Sequence, residues 1–437
     1  MYDKFHFKGI KFSLENGELN LEYEVDDFGI LAEKFWFPQA PFVLNDKQKQ
    51  ALEQIFRYLH LAAGISYYKA FLSQEMVLDV YSLTPDEAKF FKKFYIHGLG
   101  EFAVRNQLHF FERIKFPHAR NIQRAVCDVN FNEEALVPVG GGKDSCLSLE
   151  LLKDLEIKST MIACGNPKPI TEVMKVAGNQ QIIIRRQIAP ELLELNRQGL
   201  VYNGHVPITG ILAFVLWAAA VIYEKKYVVM SCERSASSGN MMYDRIEVNH
   251  QYSKSFDFER DFYNLTQKIT PSFRYFSLLR PISELHIAKL FAEKCEKYFG
   301  VFTSCNKAFK LDESKRLTHW CGNCDKCRFV FLILAVFMDK QKLVQIVGNN
   351  PLDDETQVEG YEELLGLKGY KPFECVGEFQ ESNWAFAQLK QRAEWQNDKV
   401  VKALTPKIYK NDKDLFAVAR KHLIPERFKN VMAEFRE

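Results

Sequence analysis

Three consecutive glycines stand between an apolar run and a leucine-rich one, in Val137-Pro138-Val139-Gly140-Gly141-Gly142-Lys143-Asp144-Ser145, and no other segment constrains this chain as strongly. Ala135 to Val139 is a short apolar run with two valines and predicts a strand. Cys146 to Leu152, with leucines at 147, 149, 151 and 152, predicts a helix. Glycines at such a junction let the main chain turn tightly and approach a ligand, while free N–H groups and the dipole at the helix start attract an anion. Lys143 adds a mobile cation and Ser145 a hydroxyl. A Walker A loop would need glycine five positions before the Gly of Gly-Lys-[Ser/Thr], but that position is Val137, and Asp144 follows Lys143. The loop is therefore a phosphate cradle of another type. A glycine-rich turn without chemistry is the alternative, and the flanking strand, helix, Asp and Ser weigh against it.

The rest of the chain divides into three parts. Residues 1–125 open with strand-like alternation (Phe5, Phe7, Ile10, Phe12, then Leu19, Leu21, Tyr23) around the turn Glu15-Asn16-Gly17-Glu18. Two helices follow, one from about Asn45 to Phe71 and one opened by the capping box Thr84-Pro85-Asp86-Glu87 and ending near Gly98. Residues 126–300 alternate strand and helix, with strands at 135–139, 159–163, 181–185 and 227–231, which argues for a parallel sheet with helices on both faces. Ligands of such sheets bind beyond the carboxyl ends of strands. The candidates are thus the glycine loop, Cys164-Gly165-Asn166 and Ser231-Cys232-Glu233-Arg234, with His205 in Asn203-Gly204-His205-Val206-Pro207 as a weaker nucleotide neighbour. Residues 301–437 hold a cysteine cluster and helices. In them Phe329 to Met338 is apolar and expected to be buried, and the charged final stretch reads as solvated surface.

With 437 residues, 47% of them hydrophobic, the chain can bury two or three cores. A net charge of +2 calls for no nucleic-acid or membrane partner. The longest apolar stretch, Ile208 to Tyr223, is shorter than the roughly 20 residues of a membrane span and predicts a buried helix. The start, M-Y-D-K-F-H-F-K, carries no secretory pattern, and ten cysteines suit a reducing cytoplasm, the expected location.

Cys305 is followed after fifteen residues by Cys321-Gly322-Asn323-Cys324-Asp325-Lys326-Cys327. Four thiolates so spaced can close a tetrahedral site that is structural because it is full. Zinc is expected, with an iron–sulfur cluster as the alternative. Two polar segments, Ser231 to Asn240 and Val248 to Ser255, are denser in hydrogen-bonding groups than a core requires and suit a substrate loop.

G-G-G-K-D-S resembles the pyrophosphate loop S-G-G-x-D-S of the N-type ATP pyrophosphatases (the PP-loop, adenine nucleotide alpha hydrolase-like fold), with Gly140 in place of the first Ser. That family cleaves ATP between the α- and β-phosphates and adenylates a substrate. The later Cys…Cys-x-x-Cys-x-x-Cys is similar to the 7-cyano-7-deazaguanine synthase branch, where the gap before the triplet is shorter. Taken with S-C-E-R-S-A-S, V-N-H-Q-Y-S-K-S, C-G-N-C-D-K-C and K-P-F-E-C-V-G (Lys371 to Gly377), the chain resembles the bacterial ATP-dependent UDP-N-acetylmuramoyl-L-alanyl-L-glutamate epimerase family over nearly its whole length.

This resemblance implies inversion of the terminal L-Glu of a peptidoglycan precursor, UDP-MurNAc-L-Ala-L-Glu, with release of AMP and pyrophosphate. It implies that Gly140, Gly141, Gly142, Asp144 and Ser145 hold the pyrophosphate end and that Lys143 stabilises charge as the α–β bond breaks. Mg²⁺ would bridge the phosphates through Asp144, and Cys164, Gly165 and Asn166 would border adenosine. Arg234 and Lys254 are candidates for the substrate's carboxylates or diphosphate. For proton transfer the chain offers Cys232, Glu233, His250 and Cys375, with His250 first because its ordinary pKa lies near working pH. Two other readings stay open: a related adenylating reaction (amide or nitrile formation, or tRNA thiolation), and a non-catalytic nucleotide-binding zinc scaffold. Residue 2 is Tyr, so the first of these would lack an N-terminal cysteine glutaminase, and there is no basic excess to grip tRNA.

Overall fold

In the computed structural model, which describes residues 2–26, 28–310, 312–407 and 414–436, the alternation of aromatics near the start becomes a twisted hairpin. Strands β1 (Lys4–Phe12) and β2 (Glu18–Val25) pair antiparallel, Phe7 opposite Tyr23 and Ile10 opposite Leu21. The spacing from Phe7 to Ile10 breaks a period of two, and a bulge between Phe7 and Gly9 absorbs the extra residue. The other strands are β3 (Gly29–Trp36), β4 (Glu75–Leu78), β5 (Asn132–Pro138), β6 (Ser159–Cys164), β7 (Gln180–Gln187), β8 (Lys225–Met230), β9 (Met241–Tyr243), β10 (Ile246–Val248) and β11 (Arg274–Ser277). Nine form one sheet in the order β11-β8-β5-β6-β7-β3-β2-β1-β4, and β9 and β10 form a separate ribbon. The class is α/β, a large sheet with flanking helices. Its β5–β8 pairing is parallel as the strand–helix alternation predicts, but β3 pairs antiparallel with β7, so the aromatic strands belong to the same sheet.

Two compact units divide the chain, and each is interleaved along the sequence. The first comprises Met1–Leu136, Ile182–Val228 and Met242–Tyr275. Its helices Asp46–Phe71 and Pro85–Gly98 start at Asn45 and Thr84, each with a complete capping box, reciprocated by Gln48 and Glu87. The helix Ile208–Ile222 packs on Asp46–Phe71, and its Trp217 indole N–H donates to Thr270 Oγ1 at 2.9 Å. Apolar on every side, it is a core helix, and among the described residues no helix is long and apolar enough to cross a membrane.

This unit also buries a titratable group. The His60 Nε2–H donates to the Glu22 carbonyl at 2.9 Å, leaving Nδ1 to accept from the Tyr81 hydroxyl at 3.1 Å. Burial holds its pKa down to about 3. A histidine depressed in the folded state contributes stability that is present above its unfolded value near 6.5 and lost as pH falls toward 3. Denaturant unfolding across this range is therefore expected to show a loss of stability with acid that is shallower in His60→Gln. Equal slopes would refute it.

The second unit comprises Val137–Gln181, Val229–Met241 and Phe276–Glu437. Here the helix Lys143–Asp154 packs against Glu284–Lys294, and the latter packs against Asp325–Ala335. Of Phe329 to Met338, Phe329 to Ala335 and Met338 are buried as their apolar character predicts, whereas Val336 and Phe337 are half-buried.

Candidate active site

The glycine loop follows the carboxyl end of β5 and runs directly into the helix Lys143–Asp154. Gly141 has φ +77°, and a Cβ there would stand 3.1 Å from the Pro169 backbone, so the position requires glycine. A Cβ on Gly142 would stand 3.1 Å from Ser304 Oγ, whereas one on Gly140 would meet nothing within 4 Å. The departure from Ser at Gly140 is thus not a steric one. Gly142 is the N-cap and offers no side chain, so the first-turn amides carry no side-chain cap and remain available to an anion. Ser145 Oγ donates to the Gly142 carbonyl at 3.2 Å.

Lys143 points inward and is 1% exposed. Its ammonium pairs with Asp144 at 2.5 Å and with Glu284, a residue brought to the loop by the helix that Ser283 caps. Burial opposes the charge on Lys143, but these two carboxylates outweigh it and hold the lysine protonated. Burial, and then Asp144 and Glu233, push Glu284 up to about 8 against the pull of Lys143. Asp144 and Glu284 face the Lys143 ammonium, and Glu233 acts on Glu284, an oxygen-donor set whose chemistry fits a divalent cation arriving with phosphates.

The cluster extends beyond the residues that motif reading selected. Lys371 is 5% exposed, its ammonium forms no ion pair among the described residues, and burial lowers its pKa while Glu381 and Glu233 act to raise it. Glu381, also buried, accepts from the Glu378 amide at 2.7 Å and the Leu285 amide at 3.3 Å. Cys375, half-buried, lies on the same loop as Lys371. Beyond β8, the Cys232 amide donates to Ser277 Oγ at 2.7 Å, and the Glu233 carbonyl accepts from Arg280 at 2.5 Å. The Arg234 guanidinium, named for a substrate anion, donates to the backbone carbonyls of Ala417 at 2.7 Å and Leu415 at 3.2 Å. Cys164 ends β6, and Gly165, which turns with φ +91°, and Asn166 follow it.

His205, His250 and Lys254 fall in the first unit. There the histidines share a partner that sequence reading missed: Glu101 Oε2 accepts from His250 Nδ1 at 2.5 Å and lies 3.3 Å from His205 Nδ1. The two rings are 4.7 Å apart, and Arg105 holds the other carboxylate oxygen at 2.5 Å. Burial works against the Glu101 charge, yet the hydrogen bond from His250 and the charges of both histidines keep it below its ordinary value. A carboxylate that fixes an imidazole in this way equips it for general acid–base work. Lys254 closes the short turn Tyr252–Lys254 and is half-buried.

The sulfurs of Cys305, Cys321, Cys324 and Cys327 all lie within 4.8 Å of one another, those of Cys321 and Cys327 at 3.7 Å. A tetrahedral ion with bonds of about 2.3 Å separates its sulfurs by about 3.8 Å, so the four thiols fit one ion, whereas four irons would spread them further.

Family models for the MurL N-terminal domain and the MurL C-terminal domain match residues 1–278 and 301–417. The chain belongs to the MurL family. Two relatives named UDP-N-acetyl-alpha-D-muramoyl-L-alanyl-L-glutamate epimerase illustrate the likeness. That of Xanthomonas oryzae pv. oryzae is 42% identical over 429 residues, 96% of this chain and 95% of the relative. That of Micromonospora sp. is 38% identical over 450 residues, 99% of this chain and 98% of the relative. Both MurL matches contain residues of the buried cluster, Lys143 and Glu233 in the first and Lys371 and Glu381 in the second.

Proposed function

We propose that this MurL-family chain epimerises the terminal L-glutamate of UDP-MurNAc-L-Ala-L-Glu to D-glutamate in the cytoplasm, consuming ATP and releasing AMP and pyrophosphate. The observation that carries the chemistry is the uncapped glycine loop with buried Lys143 at its end, in a chain whose relatives are named as epimerases of this dipeptide. Residues 126–300 are read as a PP-loop pyrophosphatase region on these grounds.

Removing the α-proton beside an ionised carboxylate sets two negative charges together. At about 4 Å and an effective dielectric near 20 this costs about 4 kcal/mol, roughly a thousandfold in rate. In the proposed cycle the substrate carboxylate oxygen attacks the α-phosphorus of ATP, and the α–β bond breaks as pyrophosphate leaves. The acyl-adenylate has lost the carboxylate charge, so a base can take the Cα proton. A proton delivered to the opposite face inverts the centre, and water cleaves the anhydride to AMP and the D-glutamyl product. Gly140 to Gly142, Asp144 and Ser145 would hold the pyrophosphate and Lys143 its developing charge, while Cys164 to Asn166 would border adenosine. Mg²⁺ held at Asp144 and Glu284 would neutralise phosphate charge. His250, oriented by Glu101, is the first candidate for proton transfer, ahead of Cys232, Glu233 and Cys375. Zn²⁺ on Cys305, Cys321, Cys324 and Cys327 would serve structure alone.

Incubation with the L-Ala-L-Glu nucleotide, ATP and Mg²⁺ in deuterated water is expected to place deuterium at the glutamate α-carbon with stoichiometric AMP. The His250→Gln variant is expected to keep AMP formation from ATP while losing most α-deuteration. Deuteration without ATP would overturn the adenylation step, and AMP release tied to an amine or sulfur donor would point to the other adenylating reactions.

A further inference from the structure

A second polar site lies in the same unit, away from the glycine loop. A cavity of about 640 Å³ opens beside the helix Glu284–Lys294, and five basic side chains line it: His286, Lys289, Arg420, His422 and Arg436. Among the described residues no carboxylate lines this cavity, and neither Arg420 nor Arg436 forms an ion pair. His286 is 3% exposed, and its Nδ1 has no hydrogen-bond partner. Burial, then the charges of Lys289 and Arg234, hold that ring down to about 4 against the hydrogen bond with the Phe416 backbone and the charge of Asp414.

We infer that this basic cavity is a binding site for the diphosphate of a nucleoside diphosphate. Clustered guanidinium groups without protein partners suit a diphosphate, because each planar fork can take two oxygens. Ala417 to Ala419 also line the cavity, and the half-buried Phe416, whose ring packs against those of His286, Phe337 and Trp384, adds an aromatic wall. Successive helical residues turn by about 100°, so His286 and Lys289 leave the helix on a different side from Glu284, which faces Lys143. That separation suits one long ligand. In the epimerase substrate a sugar and two amino-acid residues stand between the diphosphate and the carboxylate to be activated, and the uridine assignment rests on the proposed function. An adenine nucleotide bound for another purpose would present the same diphosphate.

Calorimetric titration of the full chain with UDP, without divalent metal, is expected to reveal one site that persists in Lys143→Ala. Arg420→Gln/Arg436→Gln is expected to weaken it roughly tenfold or more, with an unchanged unfolding midpoint, and Arg420→Lys/Arg436→Lys to weaken it less. ADP titrated in parallel separates the sources. Tighter UDP assigns the site to the substrate's own nucleotide, and equal affinities assign it to nucleoside diphosphates at large. Absence of UDP binding, binding lost in Lys143→Ala, or undiminished binding in the glutamine double variant overturns the proposal. Turnover enters none of these readings, so an inactive protein that binds UDP through Arg420 and Arg436 would count against the epimerase alone.

Discussion

Replacing Lys143 by alanine is expected to reduce AMP release roughly a thousandfold, the loss typical when one preorganised charge facing a developing anion is removed. The same substitution is expected to destabilise the protein by about 1–3 kcal/mol, because Glu284, nearly as buried as the lysine, would lose its hydrogen-bond partner and remain as a neutral acid. The two effects are separable. Lys143→Met with Glu284→Gln removes both charges and should recover most of the stability while AMP release stays lost, since neutral partners no longer demand compensation. AMP measured by chromatography and denaturant unfolding of the single and double variants check this. Full AMP release in Lys143→Ala would end the assignment of the loop to pyrophosphate, and equal destabilisation of single and double variants would end the ion-pair account.

Loss of the zinc proposed for the four-cysteine site is expected to have an equally large effect on structure. A structural zinc supplies on the order of 10 kcal/mol of local folding free energy, more than the net stability of many domains. Cys327 is buried and lies in the first turn of the helix Asp325–Ala335, whose apolar residues form part of the second unit's core, so losing the ion loosens that helix too. Cys327→Ser is expected to purify with one zinc fewer per chain and to lose amide protection from hydrogen exchange across residues 302–310 and 312–335. Strong chelation of the native chain should reproduce that pattern. Elemental analysis and exchange mass spectrometry provide the check, and native protection in a metal-free variant would show that packing alone orders the segment.

Much of the fold could be read locally. The two helices open at Asn45 and Thr84, where the residue pattern places them, because cap hydrogen bonds join residues three apart; the box read at Thr84 is there, and Gln48 completes a second at Asn45. Ile208–Ile222 reads as a buried helix from composition alone. The antiparallel β3–β7 pairing could not be read in this way, since it joins segments about 150 residues apart and neither strand carries a mark of its partner. Arg234 shows the same limit: its residue type and position suit a substrate anion, and only the fold reveals that its guanidinium also donates to the carbonyls at 415 and 417.

The glycine loop, its helix and the four-cysteine spacing were determined by the sequence itself, because glycine's backbone freedom and metal-ligand spacing act over a few residues. Tertiary structure alone decided which charges meet. Glu284 reaches Lys143 across 141 residues, and Glu101 reaches His250 across 149. Lys371, an ordinary lysine in the sequence, becomes a buried one without an ion pair among the described residues only when folding has stripped it of water. Desolvation and Coulomb energy depend on distance in space, and so the site's electrostatics exist only once the chain has closed around them.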